Sequence, residues 1–192
     1  MHWIRKMFFW LWHGQSFKQF PITSTILSPL LIQGKGNISI GRHVYIHKFA
    51  WLGTYRQDDV EPDLTVSDYV CLGNFNEISC IRKVYIGRKV LTADNVYITD
   101  NLHSYKDVSR PVIEQGITCK NEVIIEEGVW IGRNVCVIGA SIGKNSVIGA
   151  NSVVTCDIPP YSVAVGIPAR VIKQYNFESQ EWESIREGKF NK

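Results

Sequence analysis

Aliphatic side chains recur at every sixth position through most of this chain, with polar residues and glycines filling the steps between them. The clearest run is Ile125, Ile131 and Val137, followed by Ile142, Ile148, Val154 and Pro160. A fainter one passes through Ile40, Ile46 and Leu52, then Val66, Leu72 and Ile78, then Ile86, Thr92 and Ile98. Eight of the 15 glycines directly follow an Ile or Leu, as in Ile40-Gly41, Ile131-Gly132 and Ile148-Gly149. A beat of six matches neither an amphipathic helix, which repeats near 3.6, nor a half-buried strand, which alternates at two. It predicts a hexapeptide β-helix, in which each repeat supplies one short strand and one tight corner. Stacked coils then bury the recurring aliphatics in a continuous core, each coil supported by its neighbours.

The beat also divides the chain. Residues 1–37 read as a non-repeating aromatic and basic segment broken by Pro21 and Pro29, residues 38–173 as the repeat body, and residues 174–192 as a tail. In the tail, Phe177, Trp182 and Ile185 among charged residues predict a short surface helix. Three interruptions break the body. One is the polar stretch from Gly53 to Asp63; another is an eight-residue step between Ile78 and Ile86. The longest is 103–121, and a loop of that length inside a repeat domain is commonly functional.

At the N-terminus the apolar run from Met7 to Trp12 is far shorter than the roughly 20 residues that a membrane-spanning helix needs. Two readings fit it. The segment packs on the β-helix or a neighbouring subunit, or its aromatics with Arg5, Lys6 and Lys18 rest on a membrane surface.

Composition narrows the function classes only a little. A chain of 192 residues suits one domain, and 45% apolar with 20% charged residues is ordinary for a globular protein. A net charge of +3 gives no argument for nucleic acid as a partner. The five cysteines, Cys71, Cys80, Cys119, Cys136 and Cys156, are odd in number and show no CxxC spacing. That pattern suggests a reduced, cytoplasmic protein without structural disulfides.

Several motifs appear in order along the body: Asn74-Phe-Asn76, Asn95-Val-Tyr-Ile-Thr-Asp-Asn-Leu-His103, Val129-Trp-Ile-Gly132, Ile148-Gly-Ala-Asn-Ser-Val-Val-Thr155, Asp157-Ile-Pro-Pro160 and Gly166-Ile-Pro-Ala-Arg-Val-Ile172. With them the chain resembles the hexapeptide-repeat acyltransferases. Within that family it is most similar to the acetyltransferases of galactosides and maltose and to those that decorate bacterial O-antigens and capsules. The resemblance covers roughly residues 38–173. It implies an all-β fold, a left-handed parallel β-helix assembling as a homotrimer with active sites between subunits. It also implies acetyl-CoA as acyl donor, no metal, and a saccharide acceptor that is free, nucleotide-linked or lipid-linked.

By the same resemblance His103 is the general base that takes the proton of a sugar hydroxyl as its oxygen attacks the thioester. Free imidazole titrates near 6.5, which suits proton transfer at neutral pH. Asn74 matches the acceptor-site asparagine, binding a sugar hydroxyl or orienting the oxyanion, although Asn74 or Asn76 also suits a corner. Trp130 matches a tryptophan near the acceptor and acyl site. Gly132, Gly149, Ala150 and Thr155 match positions along the pantetheine arm. Arg170 and Lys173 match basic positions near the CoA phosphates, where Arg can bind bidentately and Lys acts as a point charge.

Two departures stand out. Cys156 occupies the place of a common lysine, leaving Lys144, Arg170 and Lys173 as the basic residues, and Val137 to Ile142 is a five-residue step. Asp100, Asp107 and Glu114 are the acids nearest His103 in sequence. Alternatives are an N-acyltransferase of an amino sugar and a non-catalytic β-helix scaffold. A metal enzyme of the γ-carbonic anhydrase type would need His43, His47 and His103 to converge.

Overall fold

The six-residue beat becomes three vertical columns of side chains. In the computed structural model, which describes residues 9–185, parallel strands stack into three faces around one aliphatic core. Face I carries Thr25–Ile26, Tyr45–Ile46, Cys71–Leu72, Leu91–Thr92, Trp130–Ile131, Val147–Ile148 and Ser162–Val165. Face II carries Leu31–Gln33, Trp51–Thr54, Glu77–Cys80, Tyr97–Thr99, Cys136–Ile138 and Val153–Val154. Face III carries Ile38–Ile40, Asp63–Val66, Lys83–Ile86 and Val123–Ile125, continued by single bridges at Ile142 and Ile158. Strand alternation turns one residue of each pair inward. The inward column of face I is Ile26, Ile46, Leu72, Thr92, Ile131, Ile148 and Ala164, all buried.

The body begins one coil earlier than residue 38. Phe20, Ile26 and Ile32 already keep the six-residue spacing, and Gln19 bridges Ser39 while Ile26 and Ile32 pair with Ile46 and Leu52. Without glycines, and with Pro21 and Pro29 beside it, this coil lacks the corner signals of the later ones. At the other end the beat closes on Ile158, which bridges Ile142, and not on Pro160.

Two of the three corners are regular. Each holds a left-handed residue at the same height in successive coils. The face I–II corner stacks Phe49, Phe75, Asn95, Asn134 and Asn151, with φ between 56° and 62°. Phe49 and Phe75 stack at 4.9 Å between centroids. Asn95 then donates to Asn134, and Asn134 to Asn151, at 3.3 and 3.0 Å. Asparagine suits this column because its short polar side chain tolerates the left-handed region.

The third corner, between faces II and III, takes up every change of length. From inward residue to inward residue it spans 14 residues between Leu52 and Val66, eight between Ile78 and Ile86, and 27 between Ile98 and Ile125. It then shrinks to five between Val137 and Ile142 and four between Val154 and Ile158. All three interruptions of the beat therefore stack along one edge.

Both ends of the core are closed. Residues 9–13 are helical and lead through Gly14–Ser16 to the first coil, where Trp10 Nε1 donates to Phe20 O at 3.0 Å. Phe17 stacks on Phe20 at 5.1 Å and both are buried. This bears out packing on the β-helix for residues 9–20; Arg5 and Lys6 lie outside the described residues. No helix among the described residues is long and apolar enough to cross a membrane.

The C-terminal end corrects the expected helix. Arg170–Asn176 turns back antiparallel on Ser162–Val165, and Glu181–Ser184 pairs antiparallel with it in turn. The spacing of Phe177, Trp182 and Ile185 is thus part of a hairpin. Asn176 Oδ1 accepts from the N–H groups of Glu178 and Ser179, and Tyr175 meets Trp182 across the strands at 5.4 Å. Cross-strand aromatic pairing of this kind outweighs a weak helical period.

Candidate active site

His103 ends the short strand Asn101–His103, which pairs antiparallel with Ile117–Cys119 so that His103 faces Ile117. The pairing lifts the 104–116 arm off the third corner and leaves His103 exposed at its base. Ser104 N closes the base by donating to Gly116 O at 3.0 Å. Beyond it, Gln115 Nε2 donates to the carbonyls of Asp107 and Arg110 at 2.8 and 2.9 Å. The arm is held by its own hydrogen bonds, yet it exposes Tyr105, Val108 and Ile113.

None of the three acids near His103 in sequence bonds to it. Asp100 is fully buried and accepts from the amides of Ile81, Arg82 and Lys83 at 2.8 to 3.2 Å. Those amides span the two extra residues, Ile81 and Arg82, and the start of the next strand at Lys83, so Asp100 satisfies the backbone of that bend. Burial and the neighbouring Asp100 together push the Cys80 thiol far up. Asp107 caps Ser109, whose hydroxyl and N–H hold its carboxyl below the usual range. Glu114 offers its backbone carbonyl to Arg110.

Lys120 explains the five-residue step. Its Nζ donates to Ile138 O and Thr155 O, each at 2.8 Å, and so ties two later coils to the end of the insertion. Its stem lies over Gly139, where φ is +51° and an added Cβ would fall 2.7 Å from Lys120 Cβ. Gly139 is therefore required twice, by conformation and by contact. Beside Lys120 a cleft of about 440 Å³ opens on the same edge, between Gln57, Asp58 and Val60, Ile81 and Arg82, and 117–122.

Asn74 lies at a different edge, the face I–II corner. Its backbone N and its Nδ2 both donate to Asp94 Oδ1, at 2.8 and 3.1 Å. Arg133 approaches the other oxygen of Asp94 at 3.6 Å. Asn76, next along, is a buried corner residue: its Oδ1 accepts from Thr92 at 2.9 Å and its Nδ2 donates to Ala93 O at 2.9 Å.

Trp130 points outward from face I with half its surface exposed, between Leu91 in the coil before and Val147 in the coil after. Lys173 shares that column three strands on, opposite Val163. Arg170 is exposed and donates to Ala169 O at 3.0 Å.

The glycine positions read differently in the structure. Gly132 N donates to Ile148 O at 2.8 Å and Gly149 N to Ala164 O at 2.9 Å. These amides serve the coil ladder. At Gly132 a Cβ would fall 2.6 Å from Ala150 N, so close coil approach alone demands glycine. Ala150 is exposed at the same corner, while Thr155 sits at the third corner with its carbonyl taken by Lys120.

One chain thus brings together Asn74, Asp94 and Arg133, and sets Trp130 and Lys173 on one face with Val147 and Val163 between them. His103 stands at the opposite edge of face II from Asn74. His43, His47 and His103 occupy three different corners and do not converge within one chain. His43 stacks on Tyr69 at 5.1 Å, His47 meets Tyr45 edge-on at 4.8 Å, and His103 sits on the arm. The Asp94 and Lys120 contacts carry no motif signal and were invisible to sequence reading.

A family model described as hexapeptide repeat of succinyl-transferase matches residues 122–156. A putative lipopolysaccharide biosynthesis O-acetyl transferase of Escherichia coli, WbbJ, is 40% identical over 124 residues, 61% of this chain and 63% of that protein. A probable acetyltransferase of Mycobacterium tuberculosis is 38% identical over 77% of this chain and 46% of its own length. The galactoside O-acetyltransferase of Escherichia coli is 44% identical over 48% of this chain and 45% of its own. The chain therefore spans about half to just under two thirds of these relatives. Among solved structures, AntD, an N-acyltransferase from Bacillus cereus in complex with dTDP and 3-hydroxybutyryl-CoA, superposes with a TM-score of 0.66. Its sequence identity is 19%, and the match covers 86% of this chain and 87% of that one. That likeness concerns the fold alone. Repeat and sequence relatives agree that the chain carries the hexapeptide-repeat body found in these acetyltransferases.

Proposed function

We propose that this protein is an acetyl-CoA-dependent O-acetyltransferase of a saccharide hydroxyl, acting in surface polysaccharide assembly at the cytoplasmic side. The observation that carries the reading is His103, exposed at the base of a self-braced arm, in a chain related to sugar O-acetyltransferases. His103 accepts the hydroxyl proton while the sugar oxygen attacks the thioester carbon. The tetrahedral intermediate then expels CoA as a thiolate, and the proton passes from the imidazolium to the sulfur. Asn74 and Trp130 bind the acceptor, and Arg170 and Lys173 bind the phosphates of CoA.

A homotrimer of left-handed β-helices would complete each site across two chains, since His103 and Asn74 stand at opposite edges of face II within one. The outward stripe of Tyr45, Leu91 and Trp130, each 38 to 50% exposed, is the surface a second chain would cover. The neighbours leave a second acceptor class in view. PerB of Caulobacter crescentus was solved in complex with CoA and GDP-perosamine and superposes with a TM-score of 0.53 at 17% identity.

Release of free CoA from acetyl-CoA, measured against a panel of sugars, amino sugars and nucleotide-sugars, tests both readings. Turnover confined to amino sugars would replace O-acylation by N-acylation. His103→Ala is expected to lower kcat by about 10²–10⁴-fold with the oligomer intact by light scattering. Near-normal turnover in that variant would remove His103 as the base.

A further inference from the structure

We propose that Asp94 is a positioning residue that fixes Asn74 as a hydrogen-bond acceptor, its Oδ1 turned toward the incoming hydroxyl. The inference rests on the reading above in which Asn74 contacts the acceptor. Asp94 Oδ1 receives two bonds from the same residue, Asn74 N at 2.8 Å and Asn74 Nδ2 at 3.1 Å. An ionised carboxylate only accepts, so the amide must present its NH₂ to Asp94 and its oxygen to the other side. The Asn74 N–H above all, then its Nδ2, with Arg133 and His47 adding smaller effects, hold the Asp94 carboxyl below the usual range. It is therefore ionised at neutral pH, and the amide has one orientation.

The surroundings sharpen the contrast. Asn74 O is separately occupied, accepting from Asn95 N at 2.9 Å, so the backbone of residue 74 is held from both sides. Asn74 Oδ1, in contrast, has no hydrogen-bond partner among the described residues. Asn95, Asn134 and Asn151 on the same corner bond one to the next, amide to amide, and no charge imposes a direction on that row. Among these four asparagines of the corner, Asn74 alone donates to a carboxylate. A site edged by a fixed acceptor selects for a group that donates, a hydroxyl or an amine N–H. It disfavours one that only accepts, such as a carboxylate or an ether oxygen.

The test is steady-state kinetics with a nitrophenyl galactoside, or the best acceptor from the panel above, in a set of variants. Asp94→Ala is expected to raise the acceptor KM about tenfold, the factor for one lost hydrogen bond, with the acetyl-CoA KM unchanged. Asp94→Asn keeps an oxygen for both donors and is expected to stay within about threefold of wild type on the same scale. In an Asn74→Ala background, Asp94→Ala is expected to add nothing further. Should Asp94→Ala fold poorly, the exchange Asn74→Asp with Asp94→Asn serves instead. Asn74→Asp alone sets two carboxylates face to face, and adding Asp94→Asn is expected to recover the acceptor KM. Additive losses, or an exchange that recovers nothing, would overturn the role of Asp94 alone. A wild-type acceptor KM in Asn74→Ala would overturn the acceptor contact of Asn74 and this inference with it.

Discussion

Thr92 shows how a single side chain can look conservative to replace and still be fixed by its partners. It is the polar member of the inward face I column, where its hydroxyl donates to Asn76 Oδ1 at 2.9 Å and accepts from Gly73 N at 3.1 Å. Valine has the same shape. Yet Thr92→Val leaves a buried amide oxygen and a buried N–H without partners. A loss of about 1–3 kcal/mol in unfolding free energy by urea titration is expected, with the midpoint falling and the slope unchanged. Wild-type stability would mean that water reaches the pair. At this scale the sequence was partly readable. His103 and Asn74 were marked by ordered motifs, and Thr92 by its place on the beat. Asp94 and Asp100 were not, because what matters about each is which amide it meets one coil away, and coil-to-coil neighbours lie about 20 residues apart in sequence.

Among elements, the connection from face II to face III carries the most individual character. Lys120 is the clip of that edge: one ammonium bonds carbonyls of two successive coils, and its stem fills the space over Gly139. Lys120→Met keeps most of the packing and removes both bonds. It is expected to cost about 1.5–3 kcal/mol, measured by urea unfolding. Gly139→Ala is expected to be comparably costly, since a left-handed alanine alone costs about 1–2 kcal/mol. The five-residue step from Val137 to Ile142 was legible as a shortening. What permits it was not, because the side chain that does so comes from the far end of the arm. The two terminal elements were the least readable. The first coil lacks glycine, and the last hairpin shares its aromatics between a helical and an alternating pattern. Pairing with the neighbouring strand, which decides each case, is a tertiary fact.

For the whole molecule, nearest-neighbour stacking means that stability resides in contacts between coils and not in the length of any one loop. Loop closure itself depends only weakly on length. Deleting residues 57–60, the tip closed by the bridge between Gln57 and Val60, is therefore expected to leave a single cooperative melt. The shift in Tm is expected to stay below about 4 °C by circular dichroism. A broad or multi-step transition would show that this loop holds coils together. The repeat architecture was legible almost in full from spacing alone, because six residues per face is a geometric requirement that every coil repeats.

The third corner also says how such a chain can vary through descent. Two edges of the prism admit no change in residue count without sliding an inward column outward, whereas the third has tolerated steps from four to 27 residues. Insertions and deletions that separate this chain from its relatives should therefore fall at positions 55–62, 81–82, 101–122, 139–141 and 155–157. Because those positions lie on one edge, every such event remodels the same strip of surface, the one that bears His103. Novelty in what the molecule grips and constancy in how it folds are thus assigned to different edges of the same coil.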